Sequence, residues 1–111
     1  MTMNKRNFEL LGAFSILYLE DEADLLKHTT SVLEDFVKKI YPVQTIDEAL
    51  HIIKTEKIDV IISDIHLKFS NGLDFLRVVK NELEIEIPTI VTTAFTDTEY
   101  LLDAIKLKVD N

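Results

Sequence analysis

The chain has 111 residues, 47% of them hydrophobic, which is enough for one folded domain with a core and too few for two domains. Its 20 acidic and 12 basic residues give a formal charge of −8, which argues against binding to nucleic-acid phosphates. The absence of cysteine excludes a disulfide framework, a thiolate metal site and a cysteine nucleophile.

The N-terminal segment contains neither a membrane anchor nor a signal peptide pattern. Residues 1–14 are predicted to be a polar arm that turns apolar near Phe8, Leu10 and Leu11, and no apolar run approaches the ~18–20 residues that a membrane helix needs. We therefore predict a cytoplasmic protein that does not contact the membrane.

The first half of the chain alternates between strand and helix patterns. Ser15–Leu19 is a short apolar run typical of a strand buried in a parallel sheet. From Asp24 onward, apolar residues recur at steps of three and four as far as Ile40, which predicts an amphipathic helix whose start is capped by Asp24 or a preceding acid. Tyr41–Val43 is then predicted to be an edge strand, because Pro42 cannot donate a ladder hydrogen bond.

The second half continues this alternation. Thr45 and Glu48 fit a capping box at the start of a helix, which is followed by a buried strand over Ile58–Asp64. A helix is predicted after Gly72, with four apolar residues on one face (Leu73, Leu76, Val79 and Leu83). A β-branched strand over Ile87–Thr93 and a last helix complete the pattern, the helix with Leu101, Ala104, Ile105 and Lys108 on one side. Strict β-α alternation predicts a single α/β domain with a mostly parallel sheet and right-handed crossovers.

Polar residues stand where three of the predicted strands end. Glu20 and Asp21 follow the first strand, Asp64 ends the second strong strand, and Thr93 ends the third. Ligands of open parallel sheets bind at the carboxyl ends of the strands, so we expect these side chains to converge if the strands are neighbours. Three carboxylates together would repel one another and raise the pKa of at least one, unless a divalent cation lies among them. An all-oxygen set of ligands favours Mg²⁺ over Zn²⁺.

The sequence resembles the receiver domain of two-component response regulators over residues 15–111. The resemblance is carried by Gly72 and by three motifs: Ile16-Leu17-Tyr18-Leu19-Glu20-Asp21-Glu22, Val60-Ile61-Ile62-Ser63-Asp64-Ile65-His66-Leu67 and Pro88-Thr89-Ile90-Val91-Thr92-Thr93-Ala94. It implies a flavodoxin-like, doubly wound parallel sheet with the strand order 2-1-3-4-5. It also implies a regulatory domain rather than an enzyme, with at most self-phosphorylation from small phosphodonors and slow autodephosphorylation.

The resemblance further implies a role for each matching residue. Asp64 matches the aspartate that accepts a phosphoryl group from a histidine kinase or phosphotransfer protein. Glu20, Asp21 and Asp64 match the acids that hold Mg²⁺, and the backbone carbonyl of His66 matches a further ligand. Thr93 matches the switch hydroxyl, and Ala94 matches the small residue that leaves room for the phosphate. The implied partners are therefore the phosphodonor protein and a downstream output domain or protein.

The chain departs from the family pattern at its C-terminus. The fifth strand, which carries a lysine that pairs with the phosphoryl group, and the fifth helix would begin near Val109–Asn111, where the sequence ends. Lys106 and Lys108 lie at the wrong spacing to replace that lysine. On this basis we expect a C-terminally truncated receiver domain whose last strand is an open edge, and a dimer or domain-swapped assembly through that edge.

Two other functions stay open from the sequence. A pseudo-receiver would keep the fold as a protein-binding module without being phosphorylated, which suits the missing lysine. A Mg²⁺-dependent phosphohydrolase of the haloacid-dehalogenase type also uses an aspartyl phosphate, but it requires an aspartate where this chain has His66.

Overall fold

The computed structural model describes residues 12–64, 75, 77–82, 87–92 and 105, which form a parallel four-stranded sheet with helices on its faces. The strands are β1 (Ser15–Leu19), β2 (Lys39–Val43), β3 (Val60–Asp64) and β4 (Thr89–Thr92), in the spatial order β2-β1-β3-β4. The described helices are α1 (Ala23–Leu33), α2 (Ile46–Thr55) and a π-helical segment at Val78–Glu82. The predicted fold class and strand order are confirmed over this part of the chain.

The two central strands have mostly apolar sequences, with acidic residues at their carboxyl ends. All five residues of β3 are buried, as are four of the five in β1. Burial on both faces explains why these segments show no alternation between apolar and polar residues. Their pairing begins at Ile16 and Val60 and brings Leu19 opposite Ser63.

Strand β2 lies at an edge of the sheet, as Pro42 predicted. Pro42 is exposed, and Lys39 lies over the Tyr41 ring with its Nζ 4.9 Å from the ring centre. A proline and a lysine on an edge strand discourage pairing with another chain.

The predicted boundary between the first helix and β2 is wrong by several residues. α1 ends at Leu33, and Ile40 belongs to β2 rather than to the helix. The N–H of Phe36 bonds the carbonyl of Leu33, and the N–H of Lys38 bonds the carbonyl of Phe14. Phe36 and Ile40 nevertheless pack against the same core cluster as α1, which explains why their spacing mimics a longer helix.

Side chains cap both described helices. Glu22 is the N-cap of α1, and its carboxylate accepts the backbone N–H groups of Asp24 and Leu25. Thr45 caps α2 by accepting the N–H of Glu48 at 3.2 Å, and the Thr45 hydroxyl donates to Glu48 Oε1 at 3.0 Å. The predicted capping residues are therefore confirmed at Thr45, and at the acid preceding Asp24.

Two apolar clusters cover the two faces of the sheet. Leu26 and Leu33 of α1 pack on one face, where Ile105 of the last predicted helix is also fully buried. Ala49 and Ile53 of α2 pack on the other face, together with Phe75 and Val79. Leu26 is buried whereas the neighbouring Leu25 is only half-buried, and Phe75 is a core residue that the sequence pattern did not single out. Among the described helices, none has the length and apolar character needed to cross a membrane.

Candidate metal centre

Two acidic residues follow β1 and a third ends β3, and the parallel register brings them together. Leu19 pairs with Ser63, so Glu20 and Asp64 are the next residues along two neighbouring strands. Tyr18 and Ile62 belong to one core cluster, and the alternation of side chains continues from them to Glu20 and Asp64. One carboxylate oxygen from each of Glu20, Asp21 and Asp64 lies within 4.8 Å of the others.

The three acids differ in their access to solvent. Glu20 is 3% exposed and Asp64 is 5% exposed, whereas Asp21 is half-buried. The cluster therefore has two carboxylates buried at the edge of the sheet and a third that is more exposed to solvent.

Burial and repulsion between the carboxylates raise the pKa of one acid in this cluster. The pKa of Glu20 is raised from 4.5 to about 7, chiefly because burial penalises its charged form. Interactions with Asp64 and Asp21 raise it further, while a hydrogen bond from the Glu22 backbone opposes the change. This agrees with the expectation that at least one acid in such a cluster would have a raised pKa.

The loop between β1 and α1 is held by several backbone contacts. The Glu20 N–H donates to the Val43 carbonyl at 3.0 Å, which extends the contact between β1 and β2 past the last strand residue. The Glu22 N–H donates to Glu20 Oε1 at 3.0 Å. Because Glu22 also caps α1, the helix fixes the far end of this three-residue loop.

A buried tyrosine lies beneath the acids. Tyr18 is buried on the face of β1 that continues into Glu20, and its hydroxyl interacts with Thr29 of α1. Burial raises the pKa of Tyr18, the hydrogen bond with Thr29 opposes this, and the nearby Glu20 and Asp64 raise it further. Tyr18 therefore stays neutral near pH 7 and adds no further charge to the cluster.

The donor set fits a hard divalent cation. Three carboxylates with closely spaced oxygens match the ligands that Mg²⁺ prefers, and their mutual repulsion is what a bound cation would offset. Receiver domains in general bind Mg²⁺ at such an acidic pocket.

The other predicted site residues lie outside the described residues. These are His66, Thr93 and Ala94. Their neighbourhood is partly described, because Thr92 is buried and pairs with Asp64. Thr93 is thus the residue that directly follows the partner of Asp64 in the sheet.

The sequence interpretation missed one residue that contacts the acidic loop. Gln44 follows β2, and its Nε2 donates to the Asp21 backbone carbonyl at 3.3 Å. Its position directly after a parallel strand, at the same edge of the sheet as the acids, is the signal that could have identified it.

Comparisons with known proteins agree with this architecture. The family model for the response regulator receiver domain matches residues 16–111. No curated protein sequence matches the chain. Solved structures do resemble it, and three of them represent the range of similarity.

The MaeR response regulator bound to beryllium trifluoride is 28% identical to this chain, with a TM-score of 0.64, covering 85% of this chain and 78% of its own. The signal receiver domain of a putative LuxO repressor protein from Vibrio parahaemolyticus is 26% identical, with a TM-score of 0.66, covering 85% and 72%. The chemotaxis protein CheY4 of Vibrio cholerae is 17% identical, covering 86% and 98%, and its TM-score of 0.72 shows a shared fold. With a family match across most of its length, the chain belongs to the response regulator receiver domain family.

Proposed function

We propose that this receiver domain accepts a phosphoryl group on Asp64 from a sensor histidine kinase or a phosphotransfer protein. Glu20, Asp21 and Asp64, with the backbone carbonyl of His66, would hold the Mg²⁺ that the transfer requires. The observation that carries the proposal is the convergence of three carboxylates at the carboxyl edge of β1 and β3.

The reaction is a displacement at phosphorus. A carboxylate oxygen of Asp64 attacks the phosphorus atom and forms a P–O bond, while the bond from phosphorus to the donor's nitrogen or oxygen breaks and its electron pair leaves with the donor. Bound Mg²⁺ would supply positive charge to offset the carboxylates and the phosphoryl oxygens. Asp64 must be ionised to attack, and a cation bound among the three acids would favour their ionised forms.

The phosphoryl group would then act through the end of β4. Thr93 directly follows Thr92, the partner of Asp64 in the sheet, and for this reason we expect its hydroxyl to donate to a phosphoryl oxygen on Asp64. Ala94 would leave space for that group. Movement of Thr93 would change how the domain contacts a downstream output domain or protein, which is the two-state behaviour that a charge-adding modification produces.

One of the similar structures supports this chemistry by analogy. Beryllium trifluoride, which is bound in the MaeR response regulator structure, imitates a phosphoryl group on a carboxylate. That protein shares 28% of its aligned sequence with this chain. We therefore expect this chain to bind beryllium fluoride at Asp64 as well.

Intact-protein mass spectrometry tests the proposal. The chain is incubated with acetyl phosphate in Mg²⁺ or in EDTA, and we expect a gain of one phosphoryl group only with Mg²⁺. Asp64→Asn should abolish the gain. Asp59→Asn is the matched control, because Asp59 lies before β3 and bonds the Ser15 N–H at the opposite end of the strand.

Two results would contradict the proposal. One is a mass gain that persists in Asp64→Asn, because it would place the phosphoryl group elsewhere. The other is the absence of any gain in folded wild-type protein with Mg²⁺, which would favour the pseudo-receiver.

A further inference from the structure

We infer that Gln44 is a positioning residue for the acidic cluster, acting through the peptide unit that joins Asp21 to Glu22. The inference rests on the proposed Mg²⁺ site, to which it adds a residue outside the predicted set of ligands. It is carried by two hydrogen bonds at opposite ends of one planar group.

The first bond holds the carbonyl end of that peptide unit. Gln44 Nε2 donates to the Asp21 carbonyl oxygen at 3.3 Å. Gln44 itself directly follows β2, and the carbonyl of its neighbour Val43 accepts the Glu20 N–H at 3.0 Å. The end of β2 therefore contacts the backbone of the acidic loop at two points, the Glu20 N–H and the Asp21 carbonyl.

The second bond holds the amide end of the same unit. The Glu22 N–H donates to Glu20 Oε1 at 3.0 Å, and this carboxylate is almost completely buried. A peptide unit is planar, so the direction of its N–H is fixed once the direction of its C=O is fixed. Gln44 therefore orients the N–H group that holds the Glu20 carboxylate, although its own side chain does not touch that carboxylate.

The linked bonds also reinforce each other electrostatically. A donor to the carbonyl of an amide polarises the unit and makes its N–H a better donor, which is the cooperativity expected along a chain of hydrogen bonds. The last acceptor in this series of hydrogen bonds is the Glu20 carboxylate, which is one of the three acids of the proposed metal site. Gln44 thus helps to position two of these acids. It bonds the backbone carbonyl of Asp21 directly, and it orients the Glu22 N–H that bonds the Glu20 carboxylate.

The test compares two variants that each remove one side-chain hydrogen bond near the edge strand. Gln44→Met keeps a side chain of similar length but removes the donor to Asp21. Tyr41→Phe is the matched control, because it removes the exposed 3.5 Å bond from the Tyr41 hydroxyl to Glu56 at the far end of α2. The two variants should lose similar thermal stability in the absence of metal.

Two measurements separate positioning from a general loss of stability. The first is exchange of the Glu22 amide hydrogen, followed by NMR in EDTA. The second is the Mg²⁺ dissociation constant from calorimetric titration. In Gln44→Met we expect the Glu22 amide to exchange several-fold faster and the dissociation constant to rise about threefold, as the loss of one partly exposed hydrogen bond implies. In Tyr41→Phe both should stay at the wild-type values.

The inference is overturned if Gln44→Met leaves either quantity at its wild-type value, or if Tyr41→Phe changes both equally. A wild-type protein that binds no Mg²⁺ would instead contradict the proposed metal site. The exchange rate of the Glu22 amide in EDTA would still decide whether Gln44 orients the peptide unit.

Discussion

Replacing Asp64 by asparagine should stabilise the metal-free protein at neutral pH, although it removes the proposed phosphoacceptor. Asp64 is 5% exposed and lies within 4.8 Å of two other carboxylates, measured between oxygens. Without a cation, these charges oppose folding, because the unfolded chain separates them. Asparagine preserves the shape of the side chain and removes one charge.

The separation of the oxygens gives the size of the effect. Two unit charges 4.8 Å apart repel by about 3.5 kcal/mol at an effective dielectric constant of about 20. Part of this repulsion is already relieved, because the pKa of Glu20 is raised to about 7 and Glu20 is therefore partly protonated near neutral pH. We therefore expect Asp64→Asn to raise the free energy of unfolding by about 1–2 kcal/mol at pH 8 in EDTA.

The pH dependence of this stability difference is a more specific test than its size at a single pH. Folded Glu20 keeps its proton up to about pH 7, whereas unfolded Glu20 loses it near pH 4.5. Between these values the folded state binds more protons, so the free energy of unfolding falls as the pH rises, by at most about 3.5 kcal/mol. Asp64→Asn removes one cause of the raised pKa, so its advantage over the wild type should grow between pH 5 and pH 8.

Urea unfolding followed by circular dichroism measures these quantities in EDTA and in Mg²⁺. Asp35→Asn, which removes a charge from an exposed residue of the turn after α1, is the control for net charge. Mg²⁺ should stabilise the wild type more than Asp64→Asn, because the variant has lost a ligand. The reasoning is refuted if Asp64→Asn is less stable than the wild type at pH 8 in EDTA, or if its advantage does not vary with pH.

Three further variants test other parts of the account. Glu20→Gln should flatten the fall in stability between pH 5 and pH 7 and weaken Mg²⁺ binding, as measured by urea unfolding and calorimetric titration; an unchanged pH profile would count against the raised pKa of Glu20. Thr45→Ala should lower the free energy of unfolding by about 1 kcal/mol, because α2 loses its N-cap, and a loss below experimental error would contradict that role. Ile61→Ala should cost about 3–4 kcal/mol in urea unfolding, because Ile61 is fully buried in the central strand β3, and a cost below about 1 kcal/mol would show that its surroundings are loosely packed.

The architecture was predictable where burial alone determines the sequence pattern. β1 and β3 are apolar along most of their length because both faces of the sheet are covered there. The end of α1 was not predictable, because Phe36 and Ile40 pack on the same face of the sheet as the helix and so preserve its spacing. Phe75 was missed because the apolar face of the helix after Gly72 was predicted from Leu73, Leu76, Val79 and Leu83. Phe75 lies one helical turn before Val79 and is buried in the same cluster.

The sequence predicted that the three acids would lie together, but not which of them has the raised pKa or which neighbouring residue contacts them. Parallel topology brings the carboxyl ends of neighbouring strands together, so the meeting of Glu20 and Asp64 follows once the strand order implied by the family resemblance places β1 beside β3. Which acid has the raised pKa depends on side-chain burial, and this is fixed by packing. The pairing of β2 with β1 was part of the implied strand order, but the contact of Gln44 also depends on the direction of its side chain after β2, which the sequence pattern does not specify.

The most direct test of the central claim is to locate the phosphoryl group chemically. After reaction with acetyl phosphate and Mg²⁺, borohydride reduces an aspartyl phosphate to homoserine, and tandem mass spectrometry of the peptides finds the changed residue. We predict homoserine at position 64 and unmodified aspartate at positions 21 and 59. Homoserine at another acid, or none in protein that has gained a phosphoryl group, would contradict the account.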